Sequence, residues 1–142
     1  MTEIRRAVPE DLDALRGIQA ETLAEPWPEL LETAVEGSLP LFVATESQPI
    51  GYAVLVPGPE AAVYMPELAV RPGRQDSGIG SRLVNRVVAF LEAQDYETLS
   101  VTVRAIDDRA RRFYEMNGFE QRERLEDYFD SGDGFVFARP IG

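Results

Sequence analysis

The chain has 142 residues, 44% of them hydrophobic, which suits one ordinary domain spanning residues 1–142 with a core of its own. Acidic residues outnumber basic ones 25 to 14, and a net charge of −11 argues against nucleic-acid binding, because gripping phosphates requires a basic face. Cysteine and histidine are both absent, so disulfides, thiolate nucleophiles, sulfur- or imidazole-bound metals and a Ser-His-Asp triad are excluded, and proton transfer falls to carboxylates, tyrosines, backbone or water.

Ile4 to Ala7 read as a short first strand. The opening Met1-Thr2-Glu3-Ile4-Arg5-Arg6 leads toward a helix signal, not a signal-peptide core, and no apolar run approaches the roughly 18 residues needed to span a bilayer. A soluble cytoplasmic protein without membrane contact is expected. Pro9-Glu10-Asp11-Leu12 places proline and acids where a helix begins, and Leu12, Leu15, Ile18 and Leu23 give that helix an apolar side. Glu25-Pro26-Trp27-Pro28 breaks it, since two prolines flanking one residue forbid continuous helix. A second helix over about Glu29 to Glu36 stops at Gly37. Leu41 to Ala44 and Ile50 to Val56 form a hairpin around Glu46-Ser47-Gln48-Pro49.

Ala61 to Val70 is the central strand, and its pattern is irregular. Val63 and Met65 share one face, Leu68 and Val70 lie in the opposite phase, and Pro66, which cannot donate to a ladder, sits where the phase changes. This predicts a β-bulge. A polar glycine loop follows, then a helix to about Gln94 with Ile79, Leu83, Val87 and Leu91 one per turn. Thr98 to Ala105 alternate as a strand with one buried face. Asp107 is a helix N-cap, with Asn117-Gly118 as the stop. Phe119 to Phe129 and Phe135 to Ile141 finish the chain as strands around an acidic turn, Asp130 to Gly134, whose spacing does not match a calcium loop and whose acids read as solvated.

In the glycine loop, Gly78 and Gly80 free the backbone where it starts to coil, so unpaired N–H groups at the helix start can close on an anion. A Walker loop needs a lysine after its last glycine, yet all 14 cationic side chains are arginine; a dinucleotide fingerprint needs a third glycine where Leu83 stands. What remains is Gln75-x-x-Gly78-x-Gly80. Together with the block from Val103-Arg104 through Asp107, Ala110 and Tyr114 to Gly118-Phe119, this pattern resembles the GCN5-related N-acetyltransferases (the GNAT family), especially the branch that acetylates ribosomal-protein and other protein N-termini.

The resemblance covers almost the whole chain. It implies an α/β (α+β) GNAT fold: a mixed, mostly antiparallel sheet splayed between its fourth and fifth strands and flanked by about four helices. It also implies acetyl-CoA as cosubstrate without a metal, its pyrophosphate on the loop formed by Gln75, Asp76, Ser77, Gly78, Ile79, Gly80 and Ser81. Backbone N–H groups of Leu68, Ala69 and Val70 would stabilise the thioester carbonyl. Tyr114 matches the tyrosine that protonates the leaving sulfur, although spacing alone would make it a core residue. The glutamate that serves as base in the ribosomal branch is Thr102 here, so Glu67, beside the bulge, is taken as the carboxylate that orders a water; its alternative is an edge glutamate in solvent. Asp107 stands where the family has a cofactor-contacting asparagine and keeps only its acceptor. Arg74, Arg111 and Arg112 are candidates to meet the CoA phosphates.

On the acceptor side the resemblance places Trp27, Pro28, Leu31 and Tyr128 near the substrate, with a core plug as the other reading of Trp27. The expected function is direct acetyl transfer to a primary amine, foremost a protein or peptide N-terminal α-amine. Small-molecule amine acetylation and a non-catalytic acyl-CoA-binding module are the alternatives. A monomer or homodimer is expected. An acidic, lysine-free chain further suggests a salt-adapted, halophilic cytoplasm.

Overall fold

The computed structural model describes residues 1–141. Its elements in chain order are β1 (Glu3–Arg6), a 3-10 turn at Pro9–Asp11, α1 (Leu12–Thr22), α2 (Pro28–Val35), β2 (Leu41–Thr45), β3 (Pro49–Pro57), β4 (Ala62–Val70), a second 3-10 turn at Pro72–Arg74, α3 (Ile79–Ala93), β5 (Thr98–Arg104), α4 (Asp108–Met116), β6 (Glu120–Phe129) and β7 (Gly132–Pro140). The strands form one sheet in the order β1-β2-β3-β4-β5-β7-β6, antiparallel throughout except for the parallel β4–β5 pair. The expected mixed, mostly antiparallel sheet with four helices is what forms. No helix among the described residues is long and apolar enough to cross a membrane.

Two cores lie on opposite faces of this sheet. Beneath α3, Ile79, Leu83, Val84, Val87 and Leu91 pack on Phe42, Leu55, Val63, Met65, Leu99, Val101 and Phe137. Under α1 and α2, Leu15, Ile18, Leu30 and Leu31 pack on Leu41, Val43, Tyr52, Val54 and Ala69. Burying each large aliphatic side chain contributes about 1.5–3 kcal/mol, so the two faces rather than the caps hold the domain together.

The bulge anticipated at Pro66 is present. Val54 pairs with Glu67 and Val56 with Tyr64, so Leu55 alone faces Met65 and Pro66. The extra residue reverses the side-chain phase of β4. Val63 and Met65 point into the α3 core, whereas Ala69 points into the α1–α2 core and Leu68 and Val70 pack toward α3.

The bulge also ends the parallel ladder. β4 pairs with β5 at Ala62–Thr98, Val63–Leu99 and Tyr64–Ser100, and no further. From Met65 to Val70 the edge of β4 toward β5 is unpaired, which opens the sheet at its centre.

Candidate active site

Which backbone groups face the opening follows from two contacts. Arg71 N–H donates to the Ile50 carbonyl on β3 at 2.8 Å, while the Val70 carbonyl accepts from Gln75 Nε2 at 3.0 Å on the other side. Backbone direction alternates along a strand, so the N–H groups of Val70 and Leu68 point into the gap and that of Ala69 points at Tyr52 on β3. Two donors face the gap, one fewer than the three residues expected, because the middle amide is committed to the β3 ladder.

The loop at the wide end of the gap is shaped by two left-handed residues, Asp76 (φ 62°) and Gly78 (φ 86°), which turn successive N–H groups toward one side. The first helical bond of α3 runs from Arg82 N–H to the Gly78 carbonyl at 3.0 Å, so Ile79, Gly80 and Ser81 keep free donors at the positive end of the helix. Gly80 has a further reason to lack a side chain. A Cβ there would lie 3.0 Å from two ring carbons of Phe113, so glycine lets α4 pack against the first turn of α3 without displacing that ring.

Gln75 braces this corner. Besides holding the Val70 carbonyl, its Oε1 accepts from Arg109 Nη1 at 2.8 Å, and Arg109 Nη2 also pairs with Asp76 at 2.7 Å. Arg109, which the sequence reading passed over, is therefore the guanidinium at the loop. Of the arginines singled out instead, Arg74 is paired with Glu46, and Arg111 lies over the Phe135 ring beside Asp108. Asp107 caps α4, its Oδ1 accepting from Ala110 N–H at 3.0 Å.

Aromatic residues line the narrow end, where β4 and β5 part. The Tyr114 ring sits edge-on between Phe113 and Phe119, with centroids 5.1 and 5.2 Å away. Burial first, then neighbouring Tyr64 and Asp107, push its phenol well above the ordinary value, so it stays protonated and able to donate. Tyr64, at the last rung of the ladder, is also raised, chiefly by burial, with Thr102 and Tyr128 close enough to act on it. It was not among the predicted site residues; the aromatic two positions ahead of Pro66 was the available signal. Tyr128 is 52% exposed and meets the Phe129 ring edge-on.

Trp27 is 53% exposed, so it does not plug the core; Leu31, expected nearby, is fully buried under α2. Asp133 is not simply solvated either: it accepts from Arg124 and from the Asp127 N–H and holds the irregular end of the β6–β7 hairpin.

Glu67 is the largest departure. It is buried, not an edge residue in solvent, and protein donors occupy both its oxygens. Oε1 accepts from Gln19 Nε2 and Tyr52 Oη, each at 2.9 Å, and Oε2 accepts from Trp27 N–H at 2.9 Å and Gln19 Nε2 at 3.2 Å. Among the described residues no group of three or more acidic side chains is placed to hold a metal.

The sequence fits the model of the Acetyltransferase (GNAT) family over residues 10–119. The chain belongs to the GNAT acetyltransferases. It is 30% identical over 138 residues, 92% of each chain, to the ribosomal protein bS18-alanine N-acetyltransferase of Escherichia coli (strain K12). The crystal structure of the ribosomal-protein-S18-alanine N-acetyltransferase from Escherichia coli shares the fold at a TM-score of 0.89 and 24% identity, covering 100% of this chain and 95% of that one. Arabidopsis thaliana NAA60 in complex with a bisubstrate analogue does so at 0.91 and 19%, covering 100% and 99%. Within this GNAT fold, the parted strands are β4 and β5 and the mouth is the Gln75–Ser81 loop.

Proposed function

We propose that this N-acetyltransferase takes its acetyl group from acetyl-CoA and transfers it directly to a primary amine, foremost the α-amine of a protein or peptide N-terminus. The observation that carries the reading is the end of β4–β5 pairing at Tyr64–Ser100, which leaves the Leu68 and Val70 amides facing an open slot beside the α3 N-terminus. A strand edge without a partner is the natural seat for an amide-bearing arm, and free helix-start donors suit a diphosphate.

The residues present fit acetyl-CoA, which when bound supplies a thioester acyl donor. The loop amides at Gly78 to Ser81 would hold its diphosphate, and the Leu68 and Val70 N–H groups would receive its thioester carbonyl and stabilise negative charge developing there. Tyr114, kept protonated, would give a proton to the departing sulfur and be restored, directly or through water, by the proton that the acceptor nitrogen loses as the amide forms. The acceptor amine must reach the carbonyl neutral. An α-amine with pKa near 8 has a sizeable neutral fraction at neutral pH, whereas a lysine amine near 10.4 has about 0.1%. With Thr102 in place of a carboxylate on β5, the low-pKa amine is favoured. Trp27 and Tyr128, both exposed, would contact the acceptor.

Thiol release measured with peptides of varied N-terminus, polyamines and free amino acids tests the reading. Peptide α-amines are expected to give the highest kcat/KM with acetylation at the N-terminal nitrogen. Faster turnover of a polyamine or free amino acid would make the acceptor a small molecule, and no thiol release with any amine would end the proposal.

A further inference from the structure

The bulge at Met65–Pro66 determines where Glu67 points. In a regular strand Glu67 would share the face of Val63 and Met65 and enter the α3 core; one extra residue sends it to the other face, beneath α1 and α2. There it meets donors from three separate segments: Gln19 on α1, Tyr52 on β3, and the backbone of Trp27 between α1 and α2. Both side-chain partners are buried, Gln19 to 3% exposure and Tyr52 completely. An ionised carboxylate offers about four lone-pair sites, and three protein donors take up most of them, Gln19 Nε2 reaching both oxygens. None of the ion pairs among the described residues includes Glu67, so neutral donors alone hold it.

We propose that Glu67 is a positioning residue that ties the acceptor-side segment Glu25–Pro28 to the catalytic lip of β4, and that it takes no proton in the reaction. Its own backbone precedes Leu68, whose N–H faces the slot, while its side chain grips the Trp27 N–H. One residue thereby sets the distance between the amides that would hold the thioester carbonyl and the segment that would receive the amine. This inference rests on the acceptor-side reading above.

The distinction between brace and base is chemical. Glutamine keeps a carbonyl oxygen for the Trp27 N–H and adds an amide that can donate to the Tyr52 oxygen and to Gln19 once that amide flips, so Glu67→Gln preserves the brace and removes the base. Alanine removes both. The chain has a single tryptophan, Trp27, so its fluorescence reports the position of the segment without reference to turnover.

The experiment compares Glu67→Gln, Glu67→Ala and the wild type by steady-state kinetics with an acceptor peptide and by acrylamide quenching of Trp27. The expected result is that Glu67→Gln keeps kcat within about threefold of wild type, while Glu67→Ala raises the acceptor KM about tenfold, with acetyl-CoA KM unchanged and Trp27 quenched more strongly. A loss of about 100-fold in kcat for Glu67→Gln, at unchanged acceptor KM, would make Glu67 the base and overturn the proposal. Unaltered Trp27 quenching in a folded Glu67→Ala protein would also overturn it. Should alanine prevent folding, Tyr52→Phe removes one donor at nearly constant volume and is expected to raise the acceptor KM in the same direction; an unchanged KM would count against the brace. Absence of turnover in the wild type would fail the acetyltransferase reading, leaving the quenching result to judge the brace alone.

Discussion

Tyr64 and Ser100 form the last rung that β4 and β5 share, and two residues later Pro66 carries the bulge that prevents another. The relationship is causal in a simple way. Proline supplies no N–H to a ladder, and the added residue bends β4 away from its neighbour, so the edge beyond it stays open. The slot is the geometric consequence of one bulge, and it begins where the tyrosines gather.

Tyr114→Phe is expected to lower kcat by about 100-fold with little change in acetyl-CoA affinity, because only the proton donor is lost and the ring contacts with Phe113 and Phe119 remain. Because burial raises the Tyr114 phenol, no decline in kcat from its ionisation is expected on the alkaline side up to the ordinary tyrosine range near 10. Steady-state rates from neutral pH upward check both. Unchanged turnover would remove Tyr114 from the chemistry.

The two loop glycines should fail differently. Gly78→Ala forces a side chain into a left-handed backbone with open space around it and is expected to cost about 1–2 kcal/mol. Gly80→Ala instead drives a methyl group against the Phe113 ring, an overpacking cost of about 1–3 kcal/mol. Trimming the ring with Phe113→Leu should recover part of the Gly80→Ala loss and none of the Gly78→Ala loss. Urea unfolding of the single and double variants measures this coupling.

How far the sequence was readable follows from the range of each signal. The bulge was legible because Pro66 and the phase change between Met65 and Leu68 are neighbours in the chain, and the Asp107 cap because its partner is three residues on. The partners of Glu67 were not, since Gln19 and Trp27 lie 48 and 40 residues away and meet it only once α1 has packed on the sheet. The partners of the arginines were hidden for the same reason. Arg74 and Arg109 are equally charged, and only the packing of α4 beside the loop decides that Arg109 reaches Gln75 while Arg74 turns to Glu46. Asp133 read as a solvated turn acid because its work, holding Arg124 and the Asp127 amide, depends on the hairpin register.

Acid stability should depend on Asp11. Two hydrogen bonds from Arg5, at 2.8 and 3.0 Å, hold its carboxyl below the usual range, with the Val8 N–H adding to the effect. A carboxylate depressed in the folded state contributes stability that is present above its unfolded value near 3.8 and is lost as pH falls through the lower folded value. Asp11→Asn should therefore cost about 1–2 kcal/mol at neutral pH, the lower end reflecting the partial exposure of Arg5, and the difference from wild type should close below about pH 4. Denaturant unfolding across this range tests the sign as well as the size.

Salt should stabilise the fold. With 25 acidic and 14 basic side chains the folded chain carries a net −11, and compaction brings these like charges together. At ~1 M salt the screening length falls to about 3 Å, shorter than most spacings between exposed carboxylates, so the repulsion opposing folding is largely removed. The exposed ion pairs lose strength under the same screening, for example Arg16–Glu32 at 3.1 Å, but such pairs contribute about 0–1 kcal/mol each. The excess of negative charge therefore dominates, and a salt-adapted protein should melt at higher temperature in molar potassium chloride than in dilute buffer. A melting temperature equal or higher in dilute buffer would mean that the ion pairs outweigh the net charge, and the salt-adapted reading would fall.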